Sequence, residues 1–276
     1  MIEILKAILF GIVEGVTEWL PVSSTGHLIL LDEFIKLKIS PEFSEMFEVV
    51  IQLGAILAVI VLFFHKLNPL SPKKDELQKK NTWSLWFKVV AAVIPSAVLG
   101  VVMKALDLDE AIYNYVVVAI ALVVYGVAFL FVEKRNNAAK IDDVYAIDYK
   151  TSILIGAFQC LSLIPGTSRS GSTILGAIML GVSRAAGAEF SFFLAIPTML
   201  GASALNTLEF LMSGVSATAT EVWVLVVGCA VSFVVSLLVI RVLMDYVRRH
   251  SFAVFGWYRI VLGALVLGYF AITGIG

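Results

Sequence analysis

Charge is scarce in this 276-residue chain. Only 15% of its residues are Asp, Glu, Lys or Arg, and the net charge is -1. A soluble domain carries nearer about a quarter. Together with 60% apolar residues and a mean hydropathy of +0.96, this excludes an ordinary soluble fold and indicates a single polytopic membrane domain over 1–276. Basic stretches alternating with aromatics are missing outside the short loops, which excludes nucleic acid as a partner. Cysteine is nearly absent. Cys160 and Cys229 each sit in an apolar segment, so they read as packed, reduced thiols, with no disulfide framework or cysteine zinc site. The opening MIEILKAILFGIVEG has neither a basic leader nor a small-residue cleavage site, so it is expected to be retained.

The apolar runs are plentiful. Segments 46–66, 86–105, 112–132, 187–212, 222–244 and 252–273 are long enough to cross a bilayer. Two further stretches, 3–36 and 151–182, are interrupted by LPVSSTGH at 20–27 and IPGTSRSG at 164–171. Each half is too short to cross. Irregular backbone at membrane depth persists only where protein or a watered cavity satisfies it, so both stretches are expected to be re-entrant helix-loop-helix hairpins. The predicted fold class is therefore all-α, with six transmembrane helices and two hairpins.

Lys and Arg set the orientation. One side collects Lys66, Lys73, Lys74, Lys79, Lys80 and Lys88, then Lys134, Arg135, Lys140 and Lys150, then Arg248 and Arg249. The other has Lys36, Lys38 and Lys104 beside Asp107, Asp109 and Glu110, and nothing basic from 211 to 221. The positive-inside rule puts the first group in the cytoplasm and both termini outside. Shifting the chain by 145 residues lays Gly11 on Gly156, Glu14 on Gln159, Ser23 on Ser168, Ser24 on Arg169 and Gly26 on Gly171. Three spans per half is an odd number, so the halves, 1–132 and 151–276, are expected to be inverted repeats whose broken segments meet near the midplane.

Within those segments the chemistry concentrates. Glu14 and Glu18 lie one turn apart on an apolar helix, where a carboxylate costs about 2.5–3.5 kcal/mol. They are candidates for a divalent cation site, the bland alternative being a buried structural pair. Ser23, Ser24 and Thr25 precede a helix, and free N–H groups with hydroxyls around them suit a phosphate. His27, about one turn beyond Ser24, can exchange a proton near neutrality. In the second loop Arg169 stands between Ser168 and Ser170, and its fork suits bidentate phosphate binding, unless it only pairs with Glu14 or Glu18. Gln52 and Arg259, polar residues within spans, either support the site or pack helices.

The strings EGVTEWLPVSSTGH (14–27), FEVVIQLGA (47–55), PGTSRSGST (165–173) and EFSFFLAIP (189–197) closely resemble the undecaprenyl-diphosphate phosphatase family, the bacitracin-resistance proteins. The resemblance covers essentially the whole chain. It implies hydrolysis of undecaprenyl diphosphate to the monophosphate carrier lipid of cell-wall synthesis, in the bacterial inner membrane, with Mg²⁺ or Ca²⁺. It also implies that Glu14, Glu18, Ser24, His27 and Arg169 are the active-site positions, with Ser23, Thr25, Ser168 and Ser170 around them. The expected active site opens to the periplasmic or extracellular side. Expected partners are the polyprenyl diphosphate and membrane lipids, with a homodimer left open. Ser24, deprotonated by His27 or Glu18, is the candidate nucleophile, with His27 itself or an activated water as alternatives. The competing reading is a secondary transporter or lipid flippase, which shares inverted repeats and broken helices. The type-2 phosphatidic acid phosphatases share short strings too, but expect a His where this chain has Leu175.

Overall fold

A computed structural model describes residues 1–106, 108, 112, 114–135 and 139–273. Asp107, Asp109 and Glu110 of the acidic loop lie outside the described residues. The described chain is helical without named strands. Its helices are α1 (Ile2–Thr17), α2 (Ser24–Phe34), α3 (Pro41–Val50), α4 (Gln52–Leu62), the single turn α5 (Phe64–Leu67), α6 (Glu76–Ala105), α7 (Tyr115–Lys134), α8 (Tyr149–Gln159), α9 (Arg169–Met179), α10 (Arg184–Met212), α11 (Ala219–Val247) and α12 (Ala253–Thr273). Six helical segments are long and apolar enough to cross a membrane, α3 with α4 counting as one. Their outward faces carry Leu57, Val98, Val127, Leu238 and Leu265, the surface a lipid solvent favours.

Two of these begin well before their apolar runs. The first starts at Pro41, with Pro in the first turn after Ser40. The second starts at Glu76, where Asp75 and Gln78 form a capping box and carry the helix beyond the apolar window.

Contacts between chain ends sort the loops onto two faces. On one, Lys66 pairs with Glu189 at 2.6 Å, Arg184 pairs with Glu133, and the Phe252 N–H donates to Glu133 at 2.9 Å. On the other, the Lys38 N–H donates to Glu3 at 2.8 Å, the Ser40 N–H to Glu221 at 2.7 Å, and Lys104 pairs with Glu209 at 2.5 Å. The start of α1 thus meets the end of α2, as a hairpin requires. The second hairpin closes on the opposite face, where the Ser183 N–H donates to the Ile141 carbonyl at 2.8 Å and Lys140 N–H to Gly181 at 2.8 Å. That first face carries the lysine-rich loops.

The two halves interlock. α1 packs on α11 and α8 packs on α6, so the first arm of each hairpin lies against the middle span of the other half. Both contacts depend on glycine at matching positions. A Cβ on Gly11 would sit 2.6 Å from the Gly228 carbonyl oxygen, and one on Gly156 would sit 2.0 Å from that of Ala92. Such close backbone approach is the usual way helices associate where water supplies no driving force. Gly11→Ala is expected to lower the thermal midpoint in detergent, at a cost of about 1–3 kcal/mol for the overpacked contact. Gly201→Ala, whose Cβ would meet nothing within 4 Å, should leave it unchanged or raise it.

Candidate active site

Each hairpin turns through the same local structure. Ser23 and Ser168 both hold φ at 72°, a left-handed value uncommon for a residue with a side chain. Each is the N-cap of the following helix: Ser23 Oγ accepts from the Gly26 N–H at 3.3 Å, and Ser168 Oγ from the Gly171 N–H at 3.1 Å. Residues 145 apart thus share one φ and one capping bond. In each turn the strained residue orients the one after it, Ser24 in the first and Arg169 in the second.

Those two residues share one carboxylate. Ser24 Oγ donates to Glu18 Oε2 at 2.8 Å, and Arg169 Nη2 donates to Glu18 Oε1 at 3.1 Å. Nη1 of the same guanidinium donates to the Ser191 carbonyl at 2.7 Å, and its carbon lies 5.7 Å from the Trp19 ring centroid. Ser191 Oγ meets Thr173 Oγ1 at 2.6 Å, and Thr173 donates back to the Arg169 carbonyl at 2.8 Å. Ser170 Oγ crosses to the Glu18 carbonyl at 3.0 Å. Glu18, Ser24 and Arg169 are almost wholly enclosed, so the pair acts in a low-dielectric setting where charges interact strongly.

Arg259, from the sixth span, joins the turns from behind. It is fully buried and donates to the Pro21 carbonyl at 3.0 Å, to Gly166 at 2.8 Å and to Thr167 at 2.7 Å. Its guanidinium also lies over the Tyr125 ring at 5.3 Å.

The remaining candidates are placed differently. Glu14 is fully buried on the same face of α1 as Glu18, and both of its oxygens lack a hydrogen-bond partner. A carboxylate left without a protein donor has the chemistry to hold a hard cation, which takes oxygen ligands. Among the described residues no three His, Cys, Asp or Glu side chains cluster as a ready-made metal cage, so the protein's share would be Glu14 and Glu18. The remaining ligands would have to come from water or a bound oxyanion. His27 turns away from Ser24: its Nδ1 lies 2.7 Å from the Ser23 carbonyl and its Nε2 2.6 Å from the Tyr258 hydroxyl. Thr25 is half-buried beside the first turn and Ser168 lies 3.2 Å from Ser170. Gln52 heads α4 after a break at Ile51, and the structure does not join it to these residues. Ser191 and Tyr258 were not singled out by sequence. The shortest bond from Ser191 to Arg169 is through its backbone carbonyl, which leaves no mark in the sequence, whereas Tyr258 stands next to Arg259 in FGWYRIVLG.

The chain matches the family model described as bacitracin resistance protein BacA over residues 7–265. It belongs to the BacA family. Relatives named undecaprenyl-diphosphatase include proteins of Enterococcus faecalis, 56% identical over 96% of each chain, and of Lactiplantibacillus plantarum, 55% identical over 99% of each chain. Undecaprenyl-diphosphatase 1 of Clostridioides difficile is 58% identical, over 98% of this chain and 97% of its own. The matched BacA region contains both turns, Glu14, Glu18 and Arg259.

Glu18 is the only side-chain anion paired with the buried Arg169 guanidinium among the described residues. Glu18→Gln is therefore expected to cost about 3–5 kcal/mol, because it leaves a buried charge uncompensated. The double variant Glu18→Gln/Arg169→Met should be less destabilised than the sum of its two single changes, as read by thermal denaturation and a double-mutant cycle.

Proposed function

We infer that this chain hydrolyses undecaprenyl diphosphate to undecaprenyl phosphate and inorganic phosphate, recycling the carrier lipid and conferring resistance to bacitracin. Family membership and near-full-length similarity to undecaprenyl-diphosphatases support it. The single structural observation that carries it is the convergence of Ser24 and Arg169 on Glu18, at the meeting point of two turns surrounded by apolar helices.

That geometry supports the following roles. Arg169, already held on three sides, stabilises charge on the equatorial oxygens of the transferring phosphoryl group. The helix N-termini at Ser24 and Arg169, with Ser23, Thr25, Ser168 and Ser170 around them, cradle the diphosphate. Ser24 Oγ attacks the terminal phosphorus as Glu18 takes its proton, and the bond to the bridging oxygen breaks, releasing the lipid monophosphate. Water then attacks the phosphoserine, phosphate leaves, and Ser24 recovers its proton. Mg²⁺ or Ca²⁺ on Glu14 and Glu18, when bound, adds charge neutralisation at the phosphates. His27 supports the turn from the far side, and Arg259 holds both turns in register.

The lipid tail stays among the spans while its headgroup enters the polar centre. The protein lies in the bacterial inner membrane with its lysine-rich face in the cytoplasm. The first hairpin opens on the opposite face, which supports entry of the headgroup from the periplasmic or extracellular side. A transporter has no need of a serine hydroxyl aimed at a buried carboxylate, so hydrolysis is the reading the site favours over transport.

Purified protein in detergent should release inorganic phosphate from undecaprenyl diphosphate with no ion gradient, and chelator should suppress the release. Ser24→Ala is expected to lower turnover by about 10³-fold or more while lipid binding is largely kept. A Ser24→Ala protein with near-normal turnover would exclude Ser24 as nucleophile. For orientation, cysteines introduced at positions 75 and 140 should be protected from an impermeant thiol reagent in intact cells. Labelling at either position would reverse the assigned topology.

A further inference from the structure

We propose that Tyr258 is a positioning residue of the phosphatase reaction, acting through His27 on the turn that presents Ser24. The proposal rests on the phosphatase reading above. α12 sets Tyr258 directly beside Arg259, so two consecutive residues hold the first turn. Arg259 takes the Pro21 carbonyl, and Tyr258 reaches the Ser23 carbonyl by way of the imidazole. The rings of His27 and Tyr258 lie parallel within 6°, with centroids 5.6 Å apart, so the 2.6 Å contact between hydroxyl and Nε2 runs between them in a fixed orientation.

The chemistry of the partners determines the hydrogens. A carbonyl oxygen can only accept, so the nitrogen facing Ser23, Nδ1, carries a proton. In the neutral ring Nε2 then offers a lone pair, and the Tyr258 hydroxyl donates to it. The result is a directed chain from Tyr258 O–H to His27 Nε2, and from His27 Nδ1–H to the Ser23 carbonyl. Tyr258 is half-exposed on the outer face of the sixth span, where a hydroxyl in hydrocarbon needs a partner. His27 is that partner. Oriented this way, the ring has no hydrogen bond left for Ser24 or Glu18.

What the chain controls is the Ser23 peptide. Ser23 sits at φ 72°, in a region that costs an L-residue about 1–3 kcal/mol and persists only when its surroundings impose it. Its carbonyl begins the peptide bond to Ser24, so rotating that carbonyl swings the Ser24 hydroxyl relative to Glu18 and Arg169. The Nδ1–H bond holds the carbonyl in place, and the tyrosine keeps the proton on Nδ1. His27 thus affects the reaction through backbone geometry.

The test is Tyr258→Phe, which preserves ring and volume. Two readouts are taken on full-length protein in bilayers. The first is the ¹⁵N NMR spectrum of ring-labelled histidine, with the His27 signals identified by their loss in His27→Asn. Wild-type protein should show a protonated Nδ1 and a hydrogen-bonded, unprotonated Nε2, and the Nε2 resonance should move in Tyr258→Phe. The second is phosphate release, where kcat should fall about 10-fold with KM changed less than about 2-fold. A role confined to lipid binding would move KM instead, and so would overturn the proposal. An Nε2 resonance unaffected by Tyr258→Phe, or a variant with wild-type kcat, would overturn it as well. Should wild-type protein release no phosphate at all, it is the phosphatase reading that fails, and the histidine spectrum alone decides whether Tyr258 sets the ring.

Discussion

A buried turn of irregular backbone carries carbonyls that must find donors within the protein, and everything at this site depends on how they are satisfied. Arg259 is the answer the fold supplies. One fully buried guanidinium takes Pro21 from the first hairpin and Gly166 and Thr167 from the second. The cost of burying a cation is offset in part because its Nη1 and Nη2 donors meet the very acceptors that would otherwise be stranded, while Nε is left without a partner. Since the three carbonyls belong to both turns, satisfying them also fixes one turn against the other. The distance from Ser24 to Arg169 is then set by the scaffold before any substrate arrives, which is the preorganisation that electrostatic catalysis needs.

The repeat explains how two similar turns become one asymmetric centre. Ser23 and Ser168 have the same φ and the same capping bond, yet the next residue is a hydroxyl in one half and a guanidinium in the other. Glu14 and Gln159 occupy matching positions at the ends of α1 and α8. The Gln159 amide donates to Ser96 at 2.6 Å and Thr198 at 3.2 Å, a neutral network that stays within the protein. Glu14 has no donor for either oxygen. The first half thus carries the hydroxyl and both carboxylates, and the second supplies the guanidinium that answers them.

Much of this was legible in the sequence. Apolar runs gave away the six spans, and hydroxyls beside Pro and Gly marked the two interruptions. The 145-residue shift aligns Ser23 with Ser168 in the sequence itself. Helix starts were less visible, because Ser40-Pro41 and the Asp75–Gln78 box are capping signals that lie outside the apolar windows. The side of the turn on which His27 falls is a matter of rotamer and partner, and its spacing from Ser24 on the helix does not determine it. Ser191 holds Arg169 with a carbonyl, a group every residue has. Tyr258 is one tyrosine among apolar neighbours, and only its contact with His27 distinguishes it.

The central claim is that both turns hold one phosphoryl group. An experimental structure of the protein with a non-hydrolysable methylene-bisphosphonate analogue of the polyprenyl diphosphate tests it directly. The account predicts a terminal phosphonate within about 3 Å of both Ser24 Oγ and the Arg169 guanidinium, with Arg259 still bonded to Pro21, Gly166 and Thr167. A headgroup held by residues of one turn alone, with Arg169 remaining on Glu18 and out of reach of the phosphonate, would contradict it.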